Sequence, residues 1–200
     1  MKTFLHVGCG TIRKDHTTLG FSNDSWEEIR LDINPDVQPD IVASMTDMRA
    51  VADASVDAVY TSHNIEHLYW HEIPRAIKEF YRVLKNDGFL VITCPDIQSI
   101  CELVAQGKLL ETCYISPSGP VAPFDVLFGF RQAISDNSTF MAHHAGFTQK
   151  TLVAMLRENG FPTVASRKRG APSFDLYALA TKTQVKDQEI RKLAMQHFKF

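Results

Sequence analysis

At 200 residues, with 44% hydrophobic and 22% charged residues, the chain fits one ordinary globular domain better than two. Its net charge of −2 lacks the basic excess of proteins that grip a phosphate backbone, which sets bulk nucleic acid aside as a partner. No apolar run approaches the roughly 18 residues of a membrane span. The N-terminal run is too short for a signal peptide, and Cys9, Cys94, Cys101 and Cys113 form no CxxC pair, so a cytoplasmic protein is expected.

Phe4 to Val7 is a short apolar run ending in Gly8-Cys9-Gly10, the pattern of a buried strand entering a tight loop. Thr11 to Ser25 is polar and weakly periodic, so any helix there is short. Ile29–Ile33, Asp40–Ala43 and Asp57–Thr61 read as the next strands. From His71 to Lys85 the period changes: Ile73, Ala76, Ile77, Phe80, Val83 and Leu84 share one helical face. Asn86-Asp87-Gly88 is expected to stop that helix with Gly88 in the left-handed closing position. Phe89–Cys94 is an apolar strand, and Ile97, Ile100, Cys101 and Val104 mark a second helix. Residues 111–147 hold Pro117, Pro120 and Pro123 and little period, as a functional lid does. Thr148 can cap a helix that Gly160 ends, and strands follow at 162–167 and 174–181. The tail from Gln184 to Phe200 reads as a charged amphipathic helix. Strands alternating with helices, several of them apolar throughout, indicate a mostly parallel sheet covered on both faces, with ligands outside the carboxyl ends of its strands.

Gly8 and Gly10 close the first strand, where glycine lets backbone approach a ligand. Asp32 ends the second strand, 22 residues after Gly10, near the spacing at which a carboxylate accepts hydrogen bonds from a ribose diol. A dinucleotide site needs a further glycine near position 13, which here is Arg13. A nucleoside cofactor without phosphates tolerates that loss.

In this order, HVGCG, RLDIN, DAVYTSHNIEHL and EFYRVLKNDGFLVITCPD resemble the class I S-adenosylmethionine (SAM)-dependent methyltransferases. Their order and spacing match small predicted members reading LHxGCG, SHxxEHL and RVLKPGGxLxIxxPD. The likeness covers residues 4–96 and runs more loosely through HHAGFTQKTLVAMLRENGF. It implies a Rossmann-like three-layer α/β sandwich, with a mostly parallel seven-stranded sheet and an antiparallel last strand. The methyltransferase domain would span 1–182, with 111–147 as lid and substrate insertion and 183–200 as a C-terminal amphipathic helix. The cofactor implied is SAM: Gly8 and Gly10 beside its methionyl part, Asp32 on the ribose, Asp47 on the adenine amino group with Met48 beside the ring. Ser62 and His63 would lie near the reacting methyl. His6 stands where better-known members carry an acidic residue, and Asn86-Asp87-Gly88 replaces Lys-Pro-Gly-Gly.

His63-Asn64-Ile65-Glu66-His67 spells HxxEH, a zinc-protease pattern, but the segment spans a strand end and a turn rather than one helix, so no metal is expected. Cys94 reads as core rather than nucleophile. A hydroxyl acceptor loses a proton as it attacks, which makes His63, His143 and His144 candidate bases. Tyr69, Trp70 and His71 can line the acceptor side, Arg131 can meet an acidic substrate or water, and Arg167-Lys168-Arg169 reads as a solvated strand end. The expected activity is methyl transfer to a small-molecule or glycan acceptor, at a hydroxyl. An NAD(P)-dependent oxidoreductase and a non-catalytic module binding SAM or S-adenosylhomocysteine (SAH) are the rivals. The apolar lid and the tail are the surfaces suited to a homodimer.

Overall fold

A computed structural model describes residues 1–198. Strands β1 (Lys2–Val7), β2 (Trp26–Asp32), β3 (Ile41–Val42), β4 (Val56–Ser62) and β5 (Leu84–Pro95) are joined late in the chain by β8 (Thr163–Arg169) and β9 (Asp175–Thr181). They form one sheet in the order β3-β2-β1-β4-β5-β9-β8. The first five run parallel, while β9 is antiparallel to both β5 and β8. The strand order reverses between β1 and β4, and a sheet of this kind opens its ligand crevice at the carboxyl ends of that pair.

Alternation along each strand sends side chains to two different layers. Leu5, Val7, Val59, Leu90 and Ile92 pack with Ile73, Ala76, Ile77 and Phe80 of α1 (Ile73–Val83) and with Leu152 and Leu156 of α5 (Gln149–Glu158). Phe4, Tyr60, Phe89 and Tyr177 face the other way, where Phe21 and Trp26 join them beneath Ile190 and Ala194 of α6 (Asp187–His197). The tail is therefore a docked layer of the fold up to His197, with the last two positions of the expected helix outside the described residues. His197 is buried, its Nδ1 2.8 Å from the Thr18 hydroxyl and its ring 4.3 Å from that of Phe21. Among the described residues no helix is long and apolar enough to cross a membrane.

The turn at 86–88 differs from expectation. Helix α1 ends at Val83 and the chain passes straight into β5, so Gly88 closes no helix and has no left-handed conformation. Glycine fits there for space, because a Cβ would lie 2.9 Å from the Lys85 carbonyl oxygen and 3.1 Å from that of Asp57. Thr148 does cap α5, its hydroxyl accepting from the Thr151 amide at 3.2 Å. Thr148→Ala is expected to lose about 1 kcal/mol, read as a lower urea midpoint at unchanged slope.

Residues 111–147 are more ordered than their composition indicates. They hold a hairpin of β6 (Tyr114–Ser116) and β7 (Gly119–Val121), then α3 (Pro123–Phe128), α4 (Arg131–Ser135) and a 3-10 turn at Thr139–Met141. Val121, Val126, Leu127 and Phe130 share a small core with Ile100 and Leu103 of α2 (Ile97–Ala105). Arg131 is half exposed to solvent, and its guanidinium bonds the buried Asp125 carboxylate at 2.7 and 3.1 Å, fixing α4 to α3.

Candidate functional site

The glycine loop after β1 is held from three sides. The Asn64 amide donates to the carbonyls of Val7 and Gly8 at 3.2 Å and of Ser62 at 2.8 Å. Gly8 (φ +65°) must be glycine because a Cβ would fall 2.2 Å from the Asn64 Oδ1. Gly10 (φ +50°) is different, since its missing side chain leaves open space. Its amide donates to Asp32 Oδ2 at 2.8 Å, while Asn34 N donates to Oδ1 at 2.9 Å. Each carboxylate oxygen thus keeps a free lone pair. Beneath the loop lies Arg30, 2% exposed, donating to the carbonyls of Gly10, Val37 and Gln38. Neither Asn64 nor Arg30 is signalled by sequence, because each acts through carbonyls from distant turns.

These residues wall a cavity of about 590 Å³ at the ends of β1, β2 and β4. Asp32, Asn34, Ser62, His63 and Asn64 supply polar groups, and Ile12, Leu31, Ile33, Met45 and Leu68 the apolar surface. Ala133, Ser138, Phe140, Met141 and His144 close it from the 111–147 segment. The size and the mix of apolar wall with few polar groups suit a nucleoside-sized ligand. After Gly10 the chain enters only a three-residue 3-10 turn, Lys14–His16. There is therefore no helix N-terminus aimed at this cavity from the glycine loop to receive a pyrophosphate.

Three expected cofactor residues lie elsewhere. Asp47 faces a separate surface groove and binds Arg49 through two contacts of 2.8 Å, while Met48 is fully buried in the core. The short β3 turns the chain so that Ser44 and Met45 reach the cavity in their place. His6 is buried and its Nδ1 lies 2.7 Å from Glu28 Oε1, whose other oxygen accepts from Lys14 N at 3.1 Å. His6 lines a neighbouring, more polar cavity of about 480 Å³, together with Thr93, Arg169, Asp175 and Tyr177. The two cavities share Gly8, Cys9, Ile12, Ser62 and His63.

His63 stands on this shared wall in a left-handed conformation, φ +54°. Its Nδ1 is 3.5 Å from Glu66 Oε1 and its Nε2 3.4 Å from Asp175 Oδ1. Burial pulls its pKa down, but the two carboxylates outweigh that and raise it to about 10. A base needs a pKa near the working pH. The two carboxylates beside His63 favour its charged imidazole, which suits a hydrogen-bond donor better than a base. Ser62 Oγ pairs with Thr93 Oγ1 at 2.6 Å.

His143 does not line the main cavity, whereas His144 does, stacked 4.2 Å from Tyr69. The His143 Nδ1 donates to the Val126 carbonyl at 2.7 Å, and burial lowers its pKa. Trp70 packs over Phe147 with ring centroids 5.7 Å apart. Lys168 departs from a solvated strand end: its Nζ lies 2.9 Å from the buried Asp96 carboxylate. Burial pushes the Cys94 thiol well above its usual range, as suits a core residue.

Residues 5–92 match the family described as a methyltransferase domain. The fold is shared with solved methyltransferase structures at low identity. A Thermotoga maritima SAM-dependent methyltransferase, described as a possible histamine N-methyltransferase, aligns at TM-score 0.57 and 15% identity over 92% of this chain and 83% of its own. An Archaeoglobus fulgidus SAM-dependent methyltransferase gives 0.55 and 16% over 90% and 85%. A Burkholderia thailandensis 1,6-didemethyltoxoflavin-N1-methyltransferase, solved with its substrate and SAH, gives 0.57 and 14% over 92% and 72%. No curated protein matches the chain.

Proposed function

We propose that this chain is a SAM-dependent methyltransferase of class I and that it moves the SAM methyl group onto a polar small molecule, at a hydroxyl. The observation that carries this reading is the Asp32 carboxylate, locked by Gly10 N and Asn34 N at the strand-order reversal beside a nucleoside-sized cavity. In this reading Asp32 accepts from the ribose hydroxyls, and Ile33, Val37 and Met45 enclose the base. The methionyl part runs past Gly10 toward Ser62 and His63. Residues 111–147 form the lid, with Phe140 and His144 on the acceptor side. A glycan end is the variant of this acceptor class that the polar second cavity supports, through Thr93, Arg169, Asp175 and Tyr177.

The sulfonium carries its own activation, so the protein positions the partners and excludes water. The acceptor oxygen attacks in line, the carbon–sulfur bond breaks with its electron pair on sulfur, and SAH leaves. Among the three histidines considered as bases, His144 lines the cofactor cavity from the lid segment, stacked on Tyr69.

The test is a thermal-shift titration of the native chain and Asp32→Ala with SAM, SAH and NAD. At 100 times its dissociation constant a ligand adds about 2.7 kcal/mol, so SAM and SAH should raise the melting temperature of the native chain only. A response to NAD instead would make the chain an oxidoreductase. Tight SAM binding without turnover on any hydroxylated acceptor would make it a binding module.

A further inference from the structure

Beside the shared wall of the two cavities sits a group that methyl transfer by positioning alone does not use. Glu66 is 1% exposed, and neither carboxylate oxygen has a hydrogen-bond partner. A buried carboxylate left this way is costly, and carboxylates so placed are paired or bind metal. Its nearest cation, His63, stops at 3.5 Å and leans equally on Asp175. Around Glu66 stand His67 and His143, and one ligand atom from each of the three lies within 4.8 Å of the others.

The two histidines are prepared in the same manner. His67 Nδ1 donates to the Ala142 carbonyl at 3.1 Å and His143 Nδ1 to the Val126 carbonyl at 2.7 Å. A carbonyl can only accept, so both Nδ1 atoms carry hydrogen and the Nε2 lone pairs are left for the cluster. Fixing one ring nitrogen through a backbone carbonyl is how proteins orient histidine ligands. The rings cross at 72° with centroids 4.8 Å apart, as two ligands approaching one centre do. The segments bearing them are stitched together, since the amides of His144 and Ala145 both donate to the Glu66 carbonyl at 2.9 and 3.0 Å.

We propose that Glu66, His67 and His143 form a binding site for one divalent transition metal ion, with Zn²⁺ the best-suited ion, and that an acceptor oxygen completes its coordination. Two histidines and one glutamate are a ligand set of catalytic zinc, which keeps a fourth position open. Bonds of about 2.0–2.1 Å place tetrahedral ligand atoms roughly 3.4 Å apart, so the cluster closes by an ångström or so around the ion. His67 also lines the cofactor cavity, which puts the open position on the side of the methyl group. The role in catalysis rests on the methyl-transfer reading, whereas the ion site does not. A hydroxyl bound to the ion gives its proton to solvent more readily, and its oxygen then forms the new bond to the methyl carbon as sulfur departs. The HxxEH pattern thus contributes its second histidine and its glutamate, with the third ligand from residue 143.

The experiment is Zn²⁺ titration of the chelator-stripped full chain by calorimetry, with Co²⁺ absorption as a second probe, in native protein, Glu66→Gln and His143→Ala. The expected result is one ion per chain in the native protein. Each variant should weaken binding by about 100-fold or more, since losing a ligand costs at least what losing its outer-shell partner does. Glu66→Gln also gives up the ion pair with His63, so it should melt lower than the native chain without metal, and His143→Ala tests the site with that pair intact. No stoichiometric binding in the native chain, or binding that survives both substitutions, overturns the site. SAM stabilisation of the metal-free chain reports on the cofactor cavity alone, so loss of either reading is seen separately.

Discussion

Gly8→Ala should destabilise the chain by about 3 kcal/mol and abolish its stabilisation by SAM, whereas Gly10→Ala should cost only about 1 kcal/mol of folding stability. Both glycines have positive φ, +65° and +50°, so both substitutions incur the left-handed penalty. Their surroundings separate them. A Cβ at Gly8 lands 2.2 Å from the Asn64 Oδ1, and that amide cannot withdraw without giving up its bonds to Val7, Gly8 and Ser62. Buried carbonyls then lose their donor, which adds about 1–3 kcal/mol to the strain. At Gly10 the new methyl meets no protein atom and points into the cavity, so its further cost falls on the ligand. Urea unfolding of both variants with a SAM thermal-shift series checks this. Equal losses of stability would show that Asn64 does not brace the loop.

Between pH 7 and 4 the native chain should lose about 3 kcal/mol of stability through one residue, His197, and His197→Gln should remove that part of the decline. Burial among Phe21, Phe89 and α6 lowers its pKa from 6.5 to about 4. The sign follows from which state binds the proton. Above 6.5 the imidazole is neutral in both states and its contribution is complete. As pH falls from 6.5 toward 4, the unfolded chain takes up the proton and the folded chain does not, so unfolding is favoured. Below about 4 both are protonated and the decline from this residue ends. Denaturant midpoints of native chain and variant across this range measure the difference. Parallel curves would mean that His197 is protonated in the fold, or freed from it, at pH 7.

Where the chain's local pattern and its tertiary role coincide, the sequence was readable. The short apolar runs of β1, β4 and β5 and the single face of α1 needed only local pattern, and Thr148 and Gly160 bound α5 as their chemistry requires. The place of Asp32, at the end of β2 and bonded to the Gly10 amide, follows from its spacing to the glycine loop. The 111–147 segment was not, since its short helices and hairpin take their order from α2 and from the Arg131–Asp125 pair rather than from period. Asp47 and Met48 lie off the cavity wall for a different reason: after a two-residue strand, the following turn presents Ser44 and Met45 there. The fate of His63 depended on Asp175 from β9, and the cluster at Glu66 on a histidine from a remote segment. Such convergence leaves no local trace.

The contact between Thr18 and His197 joins positions 179 apart in the chain. Contacts of that span must close a very large loop before they return any free energy, which makes folding slow for a given stability. The aromatic layer that α6 covers is built from Phe4, Phe21, Trp26 and Phe89, all from the first half of the chain. During synthesis these rings emerge long before the helix that shelters them, and they stand as adhesive surface for the whole interval. Helix α6 is thus a clock as much as a cover: its arrival sets how long each new molecule stays prone to aggregate.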